Sequence, residues 1–443
     1  VTIARKIIVL PFWLVVGLAL VVALVMHALG FDLGHLLGAS GVGAAAAVPQ
    51  LSFRASAHEY LEKFNQSAAT AMSAAAVDVS PAQNSVQSYG FLRRIRIRLR
   101  NSVASSGGTF NADSPARFLT GLALTDPNGA EIYGGPTWTG YDAMLAEKYG
   151  AYKAVNDPEL STLFSASTTT PLYIWTIPLE LSESSGYGSL PNFDAQSPYK
   201  LKMTLDANAN IWSTAPTTTQ AQLLFDYIIE CWTLPDQVNK LTGLQQSMFP
   251  PGIGQGLFGV DGVGCTVQHW SKSNPGIVAS SAVTASLIRK GNTFRTLVMV
   301  VRNSSSVRQA LSNMPNPMTF QVDGAPLWLN MDPAVVQEEW FRREVGQAAA
   351  TSKTQDTGVL PVMFGAPDGI NIAGVDGTLG AQGWLGNNQA SRIEFAGTWG
   401  ANANILDVLT NDVNGVSLEG SAYAFAYGQQ LAAASMPSVR SGS

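Results

Sequence analysis

Metal and nucleophile chemistry have few residues to draw on in this chain of 443, which holds four histidines and two cysteines. His27, His35 and His58 lie toward the N-terminus, and His269 stands alone in the body. A metal site of the cupin kind needs clustered imidazoles with a carboxylate, so no metal or other cofactor is expected. Cys231 and Cys265 form no Cys-x-x-Cys and read as two buried thiols. Cys265 and His269 are close in sequence, but closeness does not make a nucleophile and its base. No Gly-x-Ser-x-Gly elbow occurs. Glu180 with Glu183, and Glu338 with Glu339, have the residue type of glycosidase acids, a pairing any chain offers by chance. Gly254-Gln255-Gly256-Leu257-Phe258-Gly259 has dinucleotide-loop spacing. A working loop of that kind follows a strand and opens a helix, whereas Pro250-Pro251 precedes this one, so it reads as linker. The expectation is a protein that is not an enzyme.

Charge is concentrated in one place. In FLRRIRIRLRNS (Phe91–Ser102), Ile95, Ile97 and Leu99 alternate with Arg94, Arg96, Arg98 and Arg100, which is strand periodicity. One face of that strand becomes a positive stripe. Arg94, Arg96, Arg98 and Arg100 are therefore candidate subunit-contact residues, facing acidic groups of a neighbouring subunit or anionic lipid. The plainer reading is a solvated face with intrachain ion pairs that contribute little energy.

The elements that carry these residues follow from composition. Apolar residues make up 46% of the chain, enough for real cores, while charged residues are only 13% against roughly 25% in an ordinary soluble protein. Such a surface suits a β-rich protein packed against copies of itself. A net charge of −5 argues against a coat that wraps nucleic acid. Arg5 and Lys6 precede an apolar run from Ile7 to Gly30 whose one polar residue is His27. At about 1.5 Å per residue it is long enough to cross a hydrocarbon core of roughly 30 Å, with Trp13 suited to the interface. A transmembrane or membrane-embedded helix is expected there, with Ile7, Phe12, Trp13, Leu14, Leu18, Val22 and Met26 in contact with lipid. Residues 1–50 are this segment and its connector. Residues 51–80 are a linker, in which Phe53, Ala57, Tyr60, Leu61 and Phe64 have the spacing of a helix over 52–76.

The remainder repeats itself. Arg100-Asn101-Ser102 matches Arg302-Asn303-Ser304, an offset of 202; Gly135-Pro136-Thr137-Trp138 resembles Ala325-Pro326-Leu327-Trp328, an offset of 190. Helical stretches follow at Tyr141–Gly150 and Pro333–Gly346, then proline-containing apolar strands at Leu172–Leu181 and Val359–Phe364. Ala-Asn-Ala-Asn-Ile occurs at 207–211 and again at 401–405, an offset of 194. Four landmarks in one order at nearly constant spacing indicate one unit used twice. Asp126-Pro127-Asn128-Gly129 between apolar stretches is a hairpin turn, because Pro presets φ and Asn-Gly tolerates positive φ. Further strands are expected at Lys200–Leu205, Leu223–Trp232, Phe294–Val301, Arg392–Phe395 and Ala422–Tyr427. Roughly eight short strands and one helix per unit fit a jelly roll. The fold class is therefore all-β: two tandem eight-stranded jelly rolls at 81–235 and 266–443, with a 236–265 linker holding a short helix.

The order of these elements resembles the double jelly-roll major capsid proteins of tectivirus-type phages, tailless phages with an internal membrane. The likeness is carried by Tyr89-Gly90-Phe91-Leu92, the Asp-Pro-Asn-Gly turn, YIWTIPLELSESSG (Tyr173–Gly186), LKMTLDANAN (Leu201–Asn210), LLFDYIIECWTLP (Leu223–Pro235), and EEWFRREVG (Glu338–Gly346) followed by GVLPVMFG (Gly358–Gly365). It implies a structural protein of the virion: pseudo-hexagonal homotrimers tiling an icosahedral shell around an internal lipid membrane. The partners implied are further trimers, that membrane, and vertex and minor capsid proteins, with no direct nucleic-acid binding. Assembly would pass through the host cell membrane or cytoplasm. The competing readings are a membrane-tethered carbohydrate-binding or carbohydrate-active β-sandwich and an anchored surface adhesin. Exposed Trp and Tyr beside carboxylates in a groove would favour the carbohydrate reading, whereas Trp138 and Trp328 at matching places in the repeat favour packing.

Overall fold

The computed structural model describes residues 58–414 apart from 102–107, 151, 153–171, 182–187, 216–221, 234–266, 288–291, 339–356, 365–369, 372–379, 382–384 and 387–391. Ile7–Gly30, His27, His35, Cys265, the glycine-rich 254–259 stretch, the 236–248 helix and Ala422–Tyr427 lie outside these residues. Among the described residues no helix is long and apolar enough to cross a membrane.

Among the described residues, sixteen of the strands make two wraps of eight. The first contains β1 (Glu59–Gln66), β2 (Val77–Asp78), β3 (Phe91–Asn101), β4 (Leu119–Thr125), β5 (Glu131–Gly134), β6 (Leu172–Pro178), β7 (Lys200–Leu205) and β8 (Gln222–Trp232). They order as β1-β8-β3-β6 in one sheet and β2-β7-β4-β5 in the other. The second contains β9 (Val267–Ser273), β10 (Ala282–Ser286), β11 (Thr293–Arg302), β12 (Met318–Val322), β13 (Ala325–Met331), β14 (Val359–Met363), β15 (Ile393–Thr398) and β16 (Ile405–Asn414). Their orders, β9-β16-β11-β14 and β10-β15-β12-β13, repeat the first pair strand for strand. Outer strands paired with late strands in two facing sheets are the jelly-roll wrap.

Local sequence explains the best-formed elements. Leu92, Ile95, Ile97 and Leu99 of β3 bury against Leu122 and Leu124 of β4, Met203 of β7 and Phe225 of β8, while Arg94, Arg96, Arg98 and Arg100 point out. The Asp126–Gly129 turn joins β4 to β5: Gly129 takes φ +88° and donates to Asp126 O at 2.9 Å, and the Asp126 side chain accepts from Ala130 N at 2.8 Å. Helix α1 (Gly140–Tyr149) starts in a capping box, with Thr139 and Asp142 exchanging side-chain and backbone hydrogen bonds. Every residue of α1 is buried, because it lies beside β6 of the first roll and against β11 and β16 of the second.

Two expectations change. Residues 59–66 form strand β1 and not part of a helix over 52–76, because β1 is paired along its length with β8, some 160 residues later. Tyr60 and Phe64 pack against the core while Leu61 faces outward. That is strand alternation, and tertiary pairing overrides the chance helical spacing. The two Ala-Asn-Ala-Asn-Ile segments also differ in form. The first makes a helical turn, Asn208–Ile211, and the second a bend leading straight into β16.

Candidate functional site

The arginine face comes first. β3 pairs with β8 so that Arg98 lies opposite Asp226 and Arg94 opposite Glu230. Arg94 and Arg96 hold Glu230, the latter at 2.5 Å; Arg98 and Arg100 reach Asp226 at 2.5 and 2.7 Å. Lys63 on β1 adds a third cation to Asp226 at 3.5 Å. Burial would raise the Asp226 carboxyl, but hydrogen bonds from Arg100 and Arg98 hold it below the ordinary carboxylate range. Among the described residues, two carboxylates thus share these five cations. Arg96, Arg98 and Arg100 keep 37–38% of their side-chain surface exposed. Arg93 turns the other way: it is buried, paired with Glu180 at 2.5 Å, and lies 4.0 Å over the Trp232 ring. Burial dominates at Glu180 and raises its carboxyl despite Arg93.

The seam between the rolls comes next. β9, the edge of one second-roll sheet, meets β5, the edge of a first-roll sheet, in parallel at Trp270 and Tyr133. Trp270 is 1% exposed and faces Trp138 at 6.5 Å, which in turn meets Tyr133 at 5.2 Å. Trp328, by contrast, lies inside β13 and packs on Phe320 at 5.5 Å. Both tryptophans pack, at places that differ in the two rolls.

Around the seam, among the described residues, runs a buried ion cluster of Asp113, Asp142 and Asp407 with Lys272, Arg302 and Arg308, joined at Asp113 by Arg117 (3.7 Å), which is itself paired with Asp206 (3.1 Å). Lys272 lies between Asp142 (3.1 Å) and Asp407 (3.3 Å), and Arg302 between Asp407 (2.6 Å) and Asp113 (2.7 Å). Arg308 binds the other oxygen of Asp113 at 2.5 Å. The guanidinium groups of Arg302 and Arg308 stand 5.7 and 4.9 Å from the Tyr141 ring centre. Burial alone would raise Asp113 and Asp407, but their cations hold both below the usual range. Burial likewise opposes charge on Lys272, and Asp142 and Asp407 raise it nonetheless. A second link runs through Gln268, which donates to Pro178 O at 3.1 Å and accepts from Tyr152 Oη at 2.5 Å; Arg295 in turn donates to Tyr152 Oη at 2.8 Å.

The two clusters are one device used twice. Arg100 and Arg302 occupy the repeat position found in the sequence, and each binds an aspartate of the last strand of its roll through Nε, at 2.7 and 2.6 Å. A lysine of the first strand completes each set, Lys63 or Lys272. A signal for it did exist: Leu224-Phe225-Asp226 and Ile405-Leu406-Asp407 align at an offset of 181.

Of the remaining chemical candidates, Glu183, Cys265 and Glu339 lie outside the described residues. Among the described residues no group of three or more His, Cys, Asp or Glu could hold a metal ion. Burial pushes the Cys231 thiol up to about 12. A groove on the outside of the first roll has a volume of about 440 Å³ and is lined by Lys200, Lys202, Glu131 and several threonines. It holds one carboxylate and no aromatic ring, which does not match the carbohydrate reading. The predicted lipid-contact residues Ile7, Phe12, Trp13, Leu14, Leu18, Val22 and Met26 lie outside the described residues.

No family model and no curated protein sequence matches the chain. Solved structures do. The crystal structure of the STIV MCP superposes with a TM-score of 0.51 at 15% identity, covering 84% of this chain and 98% of that one. A chain in the atomic structure of Sulfolobus turreted icosahedral virus gives 0.53 at 14% identity, over 85% and 95%. PBCV-1 VP54, fitted into a reconstruction of the virophage Sputnik, gives 0.52 at 10% identity, over 81% and 94%. These are double jelly-roll capsid proteins, and with the strand orders above the likeness establishes that this chain has the double jelly-roll fold.

Proposed function

We propose that this chain is the major capsid protein of a tailless virus with an internal membrane, assembling as pseudo-hexagonal homotrimers that tile an icosahedral shell. The observation that carries the reading is the pair of like rolls joined edge to edge through a buried, charge-balanced seam. Three such chains supply six similar edges to a closed ring, and closure leaves no self-complementary patch free. Double jelly-roll viral capsid proteins share its fold along almost their whole length. Ile7–Gly30 reaches the internal lipid membrane, and the half-exposed arginines Arg94, Arg96, Arg98 and Arg100 meet acidic groups of a neighbouring subunit in the lattice. Vertex and minor capsid proteins complete the shell, and the negative net charge leaves the genome without direct contact.

The test is the native mass of the full chain in mild detergent, by light scattering or native mass spectrometry, followed by electron microscopy after detergent removal. A stable trimer that forms sheets or shells is the expected result. A monomer at high concentration would refute the reading.

A further inference from the structure

Within one chain the two rolls join by a defined pair of edges: β5, closing the second sheet of roll one, and β9, opening the first sheet of roll two. The strand orders identify their counterparts. β13 is to the second roll what β5 is to the first, and β1 is to the first what β9 is to the second. Among the described residues, neither β13 nor β1 has a strand on its outer side. Among the described residues, the same two edges that make the seam are therefore presented again, unjoined, at opposite ends of the tandem.

Their side chains fit that role. Leu61 on β1 is 64% exposed, as is Leu329 on β13, with Leu327 beside it and Val335 on the helical turn that follows. These four are the majority of the seven large apolar side chains left exposed among the described residues. Exposed apolar groups gathered on unpaired edges mark contact surfaces. Register sharpens the match. Lys63 and Lys272 are equivalent by their aspartate partners, and Leu61 stands two residues before the one as Trp270 stands two before the other. Leu61 thus holds the place of the tryptophan that fills the seam.

We propose that β13 of one copy docks against β1 of the next, so that a second copy of this chain repeats in trans the β5–β9 seam. The inference rests on the trimer reading and assigns its closing contact: Leu327, Leu329 and Val335 of one subunit enclose Leu61 of its neighbour, three times around the ring. Lys63 becomes buried as Lys272 is within the chain.

Full-length protein with Cys231→Ala, Cys265→Ser, Leu61→Cys and Leu329→Cys is treated with a short bismaleimide. The expected product is a covalent trimer on denaturing gels, absent when either Leu61→Cys or Leu329→Cys is omitted. A native trimer with no link between these positions would overturn the assigned edges and leave the trimer reading intact. A link confined to single chains would overturn it too, because the edges would then be covered from within. A parent protein that is monomeric would remove both. As a second route, Leu329→Glu is expected to weaken the trimer roughly tenfold or more while leaving the folded monomer's circular dichroism unchanged. Adding Leu61→Lys to the same chain restores the trimer. Failure of that rescue, with the trimer dissociated, counts against the pairing.

Discussion

Replacing Asp407 by asparagine removes one negative charge from a cluster in which Asp113, Asp142 and Asp407 balance Lys272, Arg302 and Arg308. Asp407 and Arg302 are 5–6% exposed and Lys272 10%, so water cannot compensate the loss. Lys272 keeps Asp142 and Arg302 keeps Asp113, but one positive charge remains uncompensated between the rolls. Removing one partner of a buried pair costs about 3–5 kcal/mol. At about 2–4 °C per kcal/mol for a domain of this size, the midpoint of thermal unfolding should fall by roughly 6–20 °C. Asp226→Asn is the matched control, because it breaks the same lysine–aspartate–arginine set in the first roll. There Arg98, Arg100 and Lys63 are 37–46% exposed, and water takes over their solvation, so the cost should be only about 1–2 kcal/mol. Calorimetry or circular-dichroism melts of both variants beside the parent measure the difference. Equal losses, or a larger loss at Asp226, would refute the claim that burial at the seam sets the value of the cluster.

Acid should unfold the protein in a defined window. Asp113, Asp226 and Asp407 have folded-state carboxyls held below their unfolded values, so their stabilisation is complete above about pH 4 and lost as pH falls through the lower folded values. Glu180, which is raised, works in the opposite sense and partly offsets them between neutral pH and that point; urea midpoints from pH 7 to 3 give the profile. Trp270→Ala empties the seam and should cost about 3–5 kcal/mol in the same unfolding assay. Changing Arg94, Arg96, Arg98 and Arg100 to glutamine leaves the buried carboxylates of Asp226 and Glu230 without these guanidinium partners, and should cost about 1–3 kcal/mol per carboxylate and prevent trimers from forming sheets under the microscope.

The periodic elements were readable from sequence because one neighbour decides each of them. β3 alternates because one side meets the core and the other water; the Asp-Pro-Asn-Gly turn carries its geometry in its residues; α1 announces its start with Thr139 and Asp142. β1 was not readable, since its strand form depends on β8 and its apolar residues satisfy helical spacing by accident. Two-residue β2 leaves too little pattern to detect. The seam joins residues 113, 142, 272, 302, 308 and 407, which no local window contains. Even so, Arg302 was visible as a repeat landmark. Extending the repeat to the last strand of each roll would have placed an aspartate beside both arginines.

The contrast between β3 and β11 follows from what lies outside each sheet. Both are third strands of equivalent rolls, yet β3 alternates isoleucine with arginine and β11 is buried along its whole length. Leu297, Met299 and Val301 fill the second roll's own core, while Val298 and Val300 belong to the core shared with the first roll, where α1 packs against β11. An outer face covered by a permanent neighbour can be apolar, and its remaining charges must be paired in balance, as Arg302 is. An outer face that remains partly in water can carry cations that outnumber the described carboxylates they share, as β3 does. A continuous apolar strand is therefore the mark of a permanent seam, and an alternating strand with excess charge the mark of a surface left for later contact. By that rule the exposed leucines of β13 and β1 are the anomaly. They sit on edges in water while having the character of a seam, and a second copy of the chain is the partner we propose for them.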